Sequence, residues 1–373
     1  MGLRESRVSA VPQPKHSTVA AIYASYEAAR EAQAERAYLG ASEIGHPCAR
    51  ALWFKFRWAE VQRFEGRMLR LFDHGNVEET RIIEDLRRIG CTVWDRDPAT
   101  GEQWRYYDLM GHLSGGLDGV VSGLKEAPKT PHLLECKTHN ADSFKMLVMR
   151  GVGGAKPAHL AQMQVLCKLA GLSRWCYVAV NKNTDDIYLE RGEFDPHLTE
   201  RWVSRAHEII FSPQPPDKIS ERSDWHECKV CAFKELCHGA AAPRPNCRTC
   251  AHATPVEGGA WHCARWKNNI PLPAQREGCQ EHRYIPALVA SFAWLEDHDE
   301  ASNVTTWRIL KGSQPRLIRQ PEWSSWEIRN ASDKAMLGEP AIEDLKREFE
   351  GTPRLGWDDF PSDLPWLEKA GAA

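Results

Sequence analysis

Residues 131–140, PHLLECKTHN, form an apolar run that ends in charge. A run this apolar reads as a strand buried in a sheet, which commits the chain to a core built around it. Side chains alternate across a strand, so Glu135 and Lys137, one residue apart, point to the same face. A surface ion pair places an acid and a base this way. So does a metal-ligating carboxylate beside a catalytic lysine. The triplet alone does not choose, because it recurs at Glu227-Cys228-Lys229. The surrounding sequence has to.

Around that strand the elements alternate. An Ala-rich helical pattern runs from about Ser17 to Tyr38, and LGASEIGHPCARALWFKF supplies a turn and a second helix. LRLFDHGNVEETRIIEDLRRIG repeats apolar residues at helical spacing and stops at Gly90. CTVWDRD, LSGGLDGVV and HLLECKT read as three strands. PAHLAQMQVLCKLAG is a helix opened by Pro157 and closed by Gly171. Two further strands, RWCYVAVNK and DIYLERGEF, precede the helix LTERWVSRAHEIIF. This order predicts a mixed α/β core. Residues 1–16 read as a loosely attached arm, 17–240 as the core domain, 241–286 as a small cysteine lobe, and 287–373 as a Trp-rich region with an acidic tail. No internal repeat is visible.

A net charge of −3 and a pI near 6.6 mean that any nucleic acid must be held by a local basic surface. Residues 49–70 offer one, with Arg50, Lys55, Arg57, Arg63, Arg67 and Arg70 against Glu60 and Glu65. A solvated helix face has the same charges. No apolar stretch approaches membrane length, and the N-terminus lacks the apolar core of a signal peptide. The expectation is a cytoplasmic protein of a bacterial host cell. Clustered cysteines in such a compartment point to metal rather than disulfides.

Asp118, in GGLDGVV, lies on a segment able to pair with HLLECKT, which would bring it beside Glu135. Two neighbouring carboxylates repel unless something positive sits between them. A hard divalent ion with oxygen ligands, Mg²⁺ or Mn²⁺, meets that need. Lys137 would then orient or activate an attacking water, or stabilise charge on a phosphate. Glu227 has no such upstream aspartate, and Cys228 beside it belongs to a cysteine motif.

This Asp…Glu-x-Lys arrangement resembles the PD-(D/E)xK nuclease superfamily. DHGNVEET looks like the helix motif that precedes the core in RecB-like and lambda-exonuclease-like members, where a glycine is followed four residues later by a metal-reaching side chain. Counting from Gly75 gives Glu79, with Glu78 as the alternative. AQMQVLCKLAGL resembles the later Q-x-x-x-Y helix, which puts Gln162 at the site, although Leu166 stands where tyrosine is usual and Gln164 stays open. LGASEIGHPCARALWF is similar to the phosphate-contacting segment of phage exonucleases and matches Ser42 and Arg50 to DNA. The resemblance covers roughly residues 38–240. It implies a restriction-endonuclease-like mixed sheet flanked by helices. The implied activity is a metal-dependent DNA exonuclease of phage or bacterial recombination and repair, with a single-strand annealing or binding protein as partner. The alternatives are a structure-specific or CRISPR-adaptation-like endonuclease, and a non-catalytic DNA-binding subunit.

CKVCAFKELC gives Cys228, Cys231 and Cys237 in the pattern C-x2-C-x5-C. In the iron–sulfur branch of RecB-like nucleases, which includes AddAB-type and CRISPR-adaptation members, a fourth cysteine lies far upstream. Cys48 occupies the matching place, so the resemblance implies a [4Fe–4S] cluster, with a four-cysteine zinc site as the alternative. Cys247, Cys250, Cys263 and Cys279 follow as C-x2-C-x12-C-x15-C, close to zinc-ribbon spacing, with His262 and His282 able to replace a ligand. Cys91, Cys136, Cys167 and Cys176 sit in apolar patterns and are expected in the core.

Overall fold

The computed structural model describes residues 17–312 and 314–348. The expected N-terminal arm and the acidic tail from residue 349 onward lie outside the described residues. The chain divides into two compact units, Met1–Val289 and Ala290–Ala373.

In the first unit, α1 (Thr18–Glu31), β1 (Leu39–Gly40), α2 (Ala49–Phe56) and α3 (Gly66–Arg88) lead into the sheets. The strands β2 (Thr92–Trp94), β3 (Arg105–Asp108), β4 (Leu113–Gly116), β5 (Gly119–Ser122) and β6 (His132–His139) follow. Next come α4 (Ala141–Ala155), α5 (Pro157–Ala170), β7 (Arg174–Asn181), β8 (Ile187–Glu193) and α6 (Pro196–Phe211). The main sheet has the order β2-β5-β6-β7-β8. β6 and β7 run parallel, and the other pairs are antiparallel. A parallel pair needs a crossover, and α4 and α5 supply it.

Both faces of β6 and β7 are covered, which is why they read as nearly continuous apolar runs. Leu133, Trp175, Tyr177 and Ala179 join the core that holds Leu52, Trp53 and Ile209. Leu134, Cys136, Cys176 and Val178 pack on the other face with Ile82, Ile83 and Leu86 of α3. The four cysteines expected in the core, Cys91, Cys136, Cys167 and Cys176, are buried there. Local chemistry fixes the helix ends. Pro157 opens α5 and Gly171 closes it with φ 68°, a left-handed turn that glycine adopts freely. Asp195 accepts from the backbone of His197 and Leu198 to start α6.

Three sequence expectations change. LSGGLDGVV is two strands rather than one: β4 pairs with β3 and β1, while β5 pairs with β2 and β6. The helical pattern to Tyr38 ends at Glu31, and α4 was not anticipated. Residues 241–286 belong to the same compact unit as the sheet. Their small sheet is built from β9 (Ala253–Pro255), β10 (Trp261–Cys263) and β11 (Asn268–Ile270). Fully buried Arg248 ties this segment to α2. It donates to the carbonyls of Phe56 and Ala37, each at 3.0 Å, and lies 3.6 Å from the Trp58 ring centroid.

The second unit is an antiparallel sheet of β12 (Ala293–Asp299), β13 (Val304–Ile309) and β14 (Arg316–Gln320). Trp307 and Trp323 are core residues, while Trp294 is exposed. The Trp307 indole donates to Gln320 Oε1 at 2.8 Å. Among the described residues, no helix is long and apolar enough to cross a membrane.

Candidate active site

Asp118 stands in the two-residue gap between β4 and β5. Its Oδ2 accepts from the Cys136 backbone N–H at 2.8 Å, which docks the gap onto β6. On the opposite face of β6 from Cys136, Glu135 is completely buried. The half-buried Lys137 donates to Glu135 Oε1 and to the Cys136 carbonyl. Gln162 of α5 donates to Glu135 Oε2 at 3.0 Å. Glu79 of α3 stands within electrostatic reach of Asp118 and Lys137. The two alternatives, Glu78 and Gln164, make different contacts. Glu78 faces Arg81 at 3.5 Å. Gln164 accepts from the Asp195 N–H and donates to the Glu193 carbonyl, which makes it a brace for the β8–α6 connection.

The cluster sets three carboxylates, Glu79, Asp118 and Glu135, against the one ammonium of Lys137. Asp118 Oδ1 and both Glu79 oxygens make no hydrogen bond within the described residues. Acceptor oxygens left over around a net negative centre suit a hard divalent ion. Among the described residues, no three His, Cys, Asp or Glu side chains stand close enough to grip an ion as they are. Without a cation the carboxylates repel, and Lys137 and Gln162 hold Glu135's oxygens.

Burial, and then the charge of Asp118, raise the Glu79 carboxyl to about 7, against the pull of Lys137 and Arg96. Burial raises Glu135 too, reinforced by Asp118 and Glu79. Lys137 is raised as well: burial pulls it down, but its acidic neighbours Glu135 and Asp118 overcome that and hold it protonated. A carboxyl raised on folding favours the folded state only while it stays protonated. That contribution is complete below about pH 4.5 and is lost as pH rises through about 7. In EDTA, Glu79→Gln should therefore melt above wild type at pH 8 and equal it near pH 4. The difference is on the order of 1 kcal/mol after discounting for Glu79's partial exposure. Mg²⁺ should narrow it. Equal melting curves at pH 8 in EDTA would contradict the cluster's electrostatics.

Sequence reasoning missed a second polar group on this face. His139 continues the alternation of Glu135 and Lys137 along ECKTH, and that third polar residue at period two was the available signal. His139 and His159 stack with Tyr177. Burial and the surrounding lysines lower His139 to about 4 and His159 to about 3, so both rings are neutral at working pH.

The cysteines gather as two groups. Cys48, Cys228, Cys231 and Cys237 line one cavity of about 30 Å³, which Arg50 and Glu227 also line. That volume holds about one water, so the four side chains must turn before they can hold either a single ion or a four-iron cluster. None of the four is in a disulfide. Cys228 and Cys231 belong with the short helices that follow α6, and Cys48 stands immediately before α2. Cys247, Cys250, Cys263 and Cys279 lie within electrostatic reach of one another. Burial and their mutual repulsion raise Cys250 to about 12, keeping it a thiol until a cation compensates. His282 bonds Thr249 at 3.2 Å and His262 bonds Asn269 at 3.3 Å.

Ser42 is exposed beside β1. Arg50 donates to the Pro216 carbonyl at 3.0 Å and faces the Cys48 cavity. The basic stretch 49–70 is not one surface. It spans α2, a break and the start of α3, and Arg57 is only 2 % exposed, stacked 4.4 Å from the Trp53 ring. Arg67 and Arg70 remain exposed on α3. Lys229 of the second E-x-K triplet is also exposed.

The chain matches no protein-family model and no curated protein. Solved structures do resemble it. An alkaline exonuclease (LHK-Exo) from Laribacter hongkongensis is 18% identical, with a TM-score of 0.34 over 50% of this chain and 90% of that one. The same exonuclease in complex with dAMP gives 15% identity and a TM-score of 0.33 over 51% and 90%. The structure of SSO0001 gives 13% and 0.36 over 59% and 95%. Scores of this size leave any functional reading to rest on the side chains.

Proposed function

We propose that this chain is a metal-dependent DNA nuclease of the PD-(D/E)xK kind, acting as an exonuclease. The observation that carries the reading is the convergence on Glu135. A wholly buried carboxylate is gripped by Lys137 and Gln162, with Asp118 and Glu79 beside it. A structural ion pair needs neither extra carboxylate, and gathering three acids around one base, one of them wholly buried, costs stability. Glu79, Asp118 and Glu135 would hold Mg²⁺ or Mn²⁺. When bound, such an ion polarises the phosphate and lowers the pKa of its water.

The protein side follows from the charge states. Lys137 is held protonated, so it serves as a donor rather than a base. It orients the attacking water or stabilises the charge that builds on the phosphate oxygens. Glu79, as a ligand of the ion, would stand beside the attacking water, whose proton would pass to solvent. As the water oxygen bonds to phosphorus, the bond to the leaving sugar oxygen breaks and that oxygen takes up a proton. Gln162 keeps Glu135 oriented throughout.

Cys48, Cys228, Cys231 and Cys237 would hold a [4Fe–4S] cluster that staples α2 to the segment after α6, and Cys247, Cys250, Cys263 and Cys279 a zinc ion. Ser42 would contact DNA phosphate. Arg50, which faces the cysteine cavity, would do so only by leaving Pro216. A single-strand annealing or binding protein would take up the tails produced. The test is cleavage of linear and covalently closed circular DNA in Mg²⁺. Loss of linear DNA alone supports the exonuclease. Nicked circles make it an endonuclease, and no cleavage under any divalent ion makes it a DNA-binding scaffold.

A further inference from the structure

Glu135, Lys137 and His139 share one face of β6. Tyr177 of β7 stands in register beside Glu135. His159 and Gln162 of α5 are three residues apart and so lie on one helix face. The Tyr177 hydroxyl sits between two imidazoles, 2.8 Å from His139 Nε2 and 2.8 Å from His159 Nδ1. Ser143 Oγ of α4 closes the chain at His139 Nδ1, 3.0 Å away. Tyr177 and His139 are buried.

Packing alone does not call for this chain. Apolar side chains would fill the space without four groups that each need a partner in a low dielectric. Every link is satisfied but one. His159 is half-buried, and its Nε2 makes no hydrogen bond within the described residues. The proton arrangement matters because the links are directional. Where Ser143 donates to His139 Nδ1, His139 Nε2–H donates to Tyr177 and Tyr177 donates to His159 Nδ1. His159 Nε2 then carries a proton and is a neutral donor. The reverse arrangement leaves it a bare acceptor. A phosphate oxygen accepts hydrogen bonds, so a phosphate at this place selects the donor form.

We propose that His159 contacts the substrate, donating Nε2–H to a phosphate oxygen of the DNA strand beside the carboxylate cluster, with Ser143, His139 and Tyr177 as positioning residues that fix its tautomer. The inference rests on the nuclease reading above. Its test is single-turnover cleavage in Mg²⁺ of end-labelled duplexes carrying single Rp or Sp phosphorothioates near the cleaved end. His159→Ala should cleave about 10–100-fold more slowly than wild type, the worth of one hydrogen bond to a charged group. His159→Gln, which keeps a donor near the Nε2 position, should recover part of the loss, and Tyr177→Phe should lose less than His159→Ala. Sulfur at the accepting oxygen should slow wild type and leave His159→Ala unaffected, a signature that a purely structural histidine does not give. A wild-type rate in His159→Ala, or the same sulfur effect in both proteins, overturns the inference. If wild type cleaves and Glu135→Ala does not, such a result removes the role of His159 alone. If wild type cleaves nothing under any divalent ion, the nuclease reading falls and this role with it.

Discussion

Lys137→Ala protein is expected to bind DNA and fail to cut it, with kcat lower by at least about 10³-fold, the usual scale for losing a charge-stabilising donor at a reacting phosphate. Lys137 is the one ammonium set against Glu79, Asp118 and Glu135. Among the described residues, no other cation contacts Glu135. Its removal leaves a wholly buried carboxylate with only Gln162 as partner, so Glu135 should protonate rather than stay charged. Glu135→Ala should be equally inactive through loss of the proposed ion. Gel-shift affinity measured in Ca²⁺ separates binding from chemistry. The control is Lys229→Ala in the second E-x-K triplet. Lys229 is exposed on a short helix at the cysteine cavity, and its loss should leave the rate unchanged. Wild-type cleavage by Lys137→Ala, or a Lys229→Ala protein as dead as it, would remove the site assignment.

The next largest effect is expected at Cys48. Protein purified without oxygen should be brown and contain iron, and Cys48→Ala should be colourless. Cys48 stands immediately before α2, while Cys228, Cys231 and Cys237 lie after α6, so a shared cluster closes a loop of about 180 residues. Losing that clip should cost on the order of several kcal/mol and lower the melting temperature of the first unit. Cys247→Ala should keep the iron and lose the zinc instead. Iron content unchanged in Cys48→Ala would remove it from the ligand set. Zinc without iron in protein never exposed to oxygen would replace the cluster by a zinc site on the same four cysteines.

Much of the fold was legible because burial on both faces leaves its mark on sequence. β6 and β7 are nearly continuous apolar runs, and α5 carries its own start and stop in Pro157 and Gly171. LSGGLDGVV was misread because alternation cannot show a change of partner. β4 and β5 look like one strand, yet they pair with different neighbours on either side of Leu117 and Asp118. α4 was missed because ADSFKMLVMRGVGGA is rich in glycine, and packing outweighed propensity there. Its Asn140 cap was present and unused as a signal. The basic stretch misled for a different reason. Arg57 stacks on Trp53 and donates to the Ser212 carbonyl at 2.6 Å, and charge counting does not distinguish a buried guanidinium from an exposed one. Glu135, Lys137, Asp118, Glu79 and Gln162 could be named from motif order, but their contacts could not. Motif order put Glu79 ahead of Glu78 and Gln162 ahead of Gln164, and the contacts of the four side chains differ accordingly.

The central claim is that the carboxylate cluster acts through a divalent ion. Its most direct test is to titrate Mg²⁺ or Mn²⁺ into EDTA-treated protein and follow single-turnover cleavage of end-labelled duplex DNA, in wild type and in Asp118→Asn. The account predicts no cleavage in EDTA, saturable restoration by either ion in wild type, and none in Asp118→Asn at any ion concentration. Cleavage in EDTA, or an Asp118→Asn protein that titrates like wild type, would contradict it.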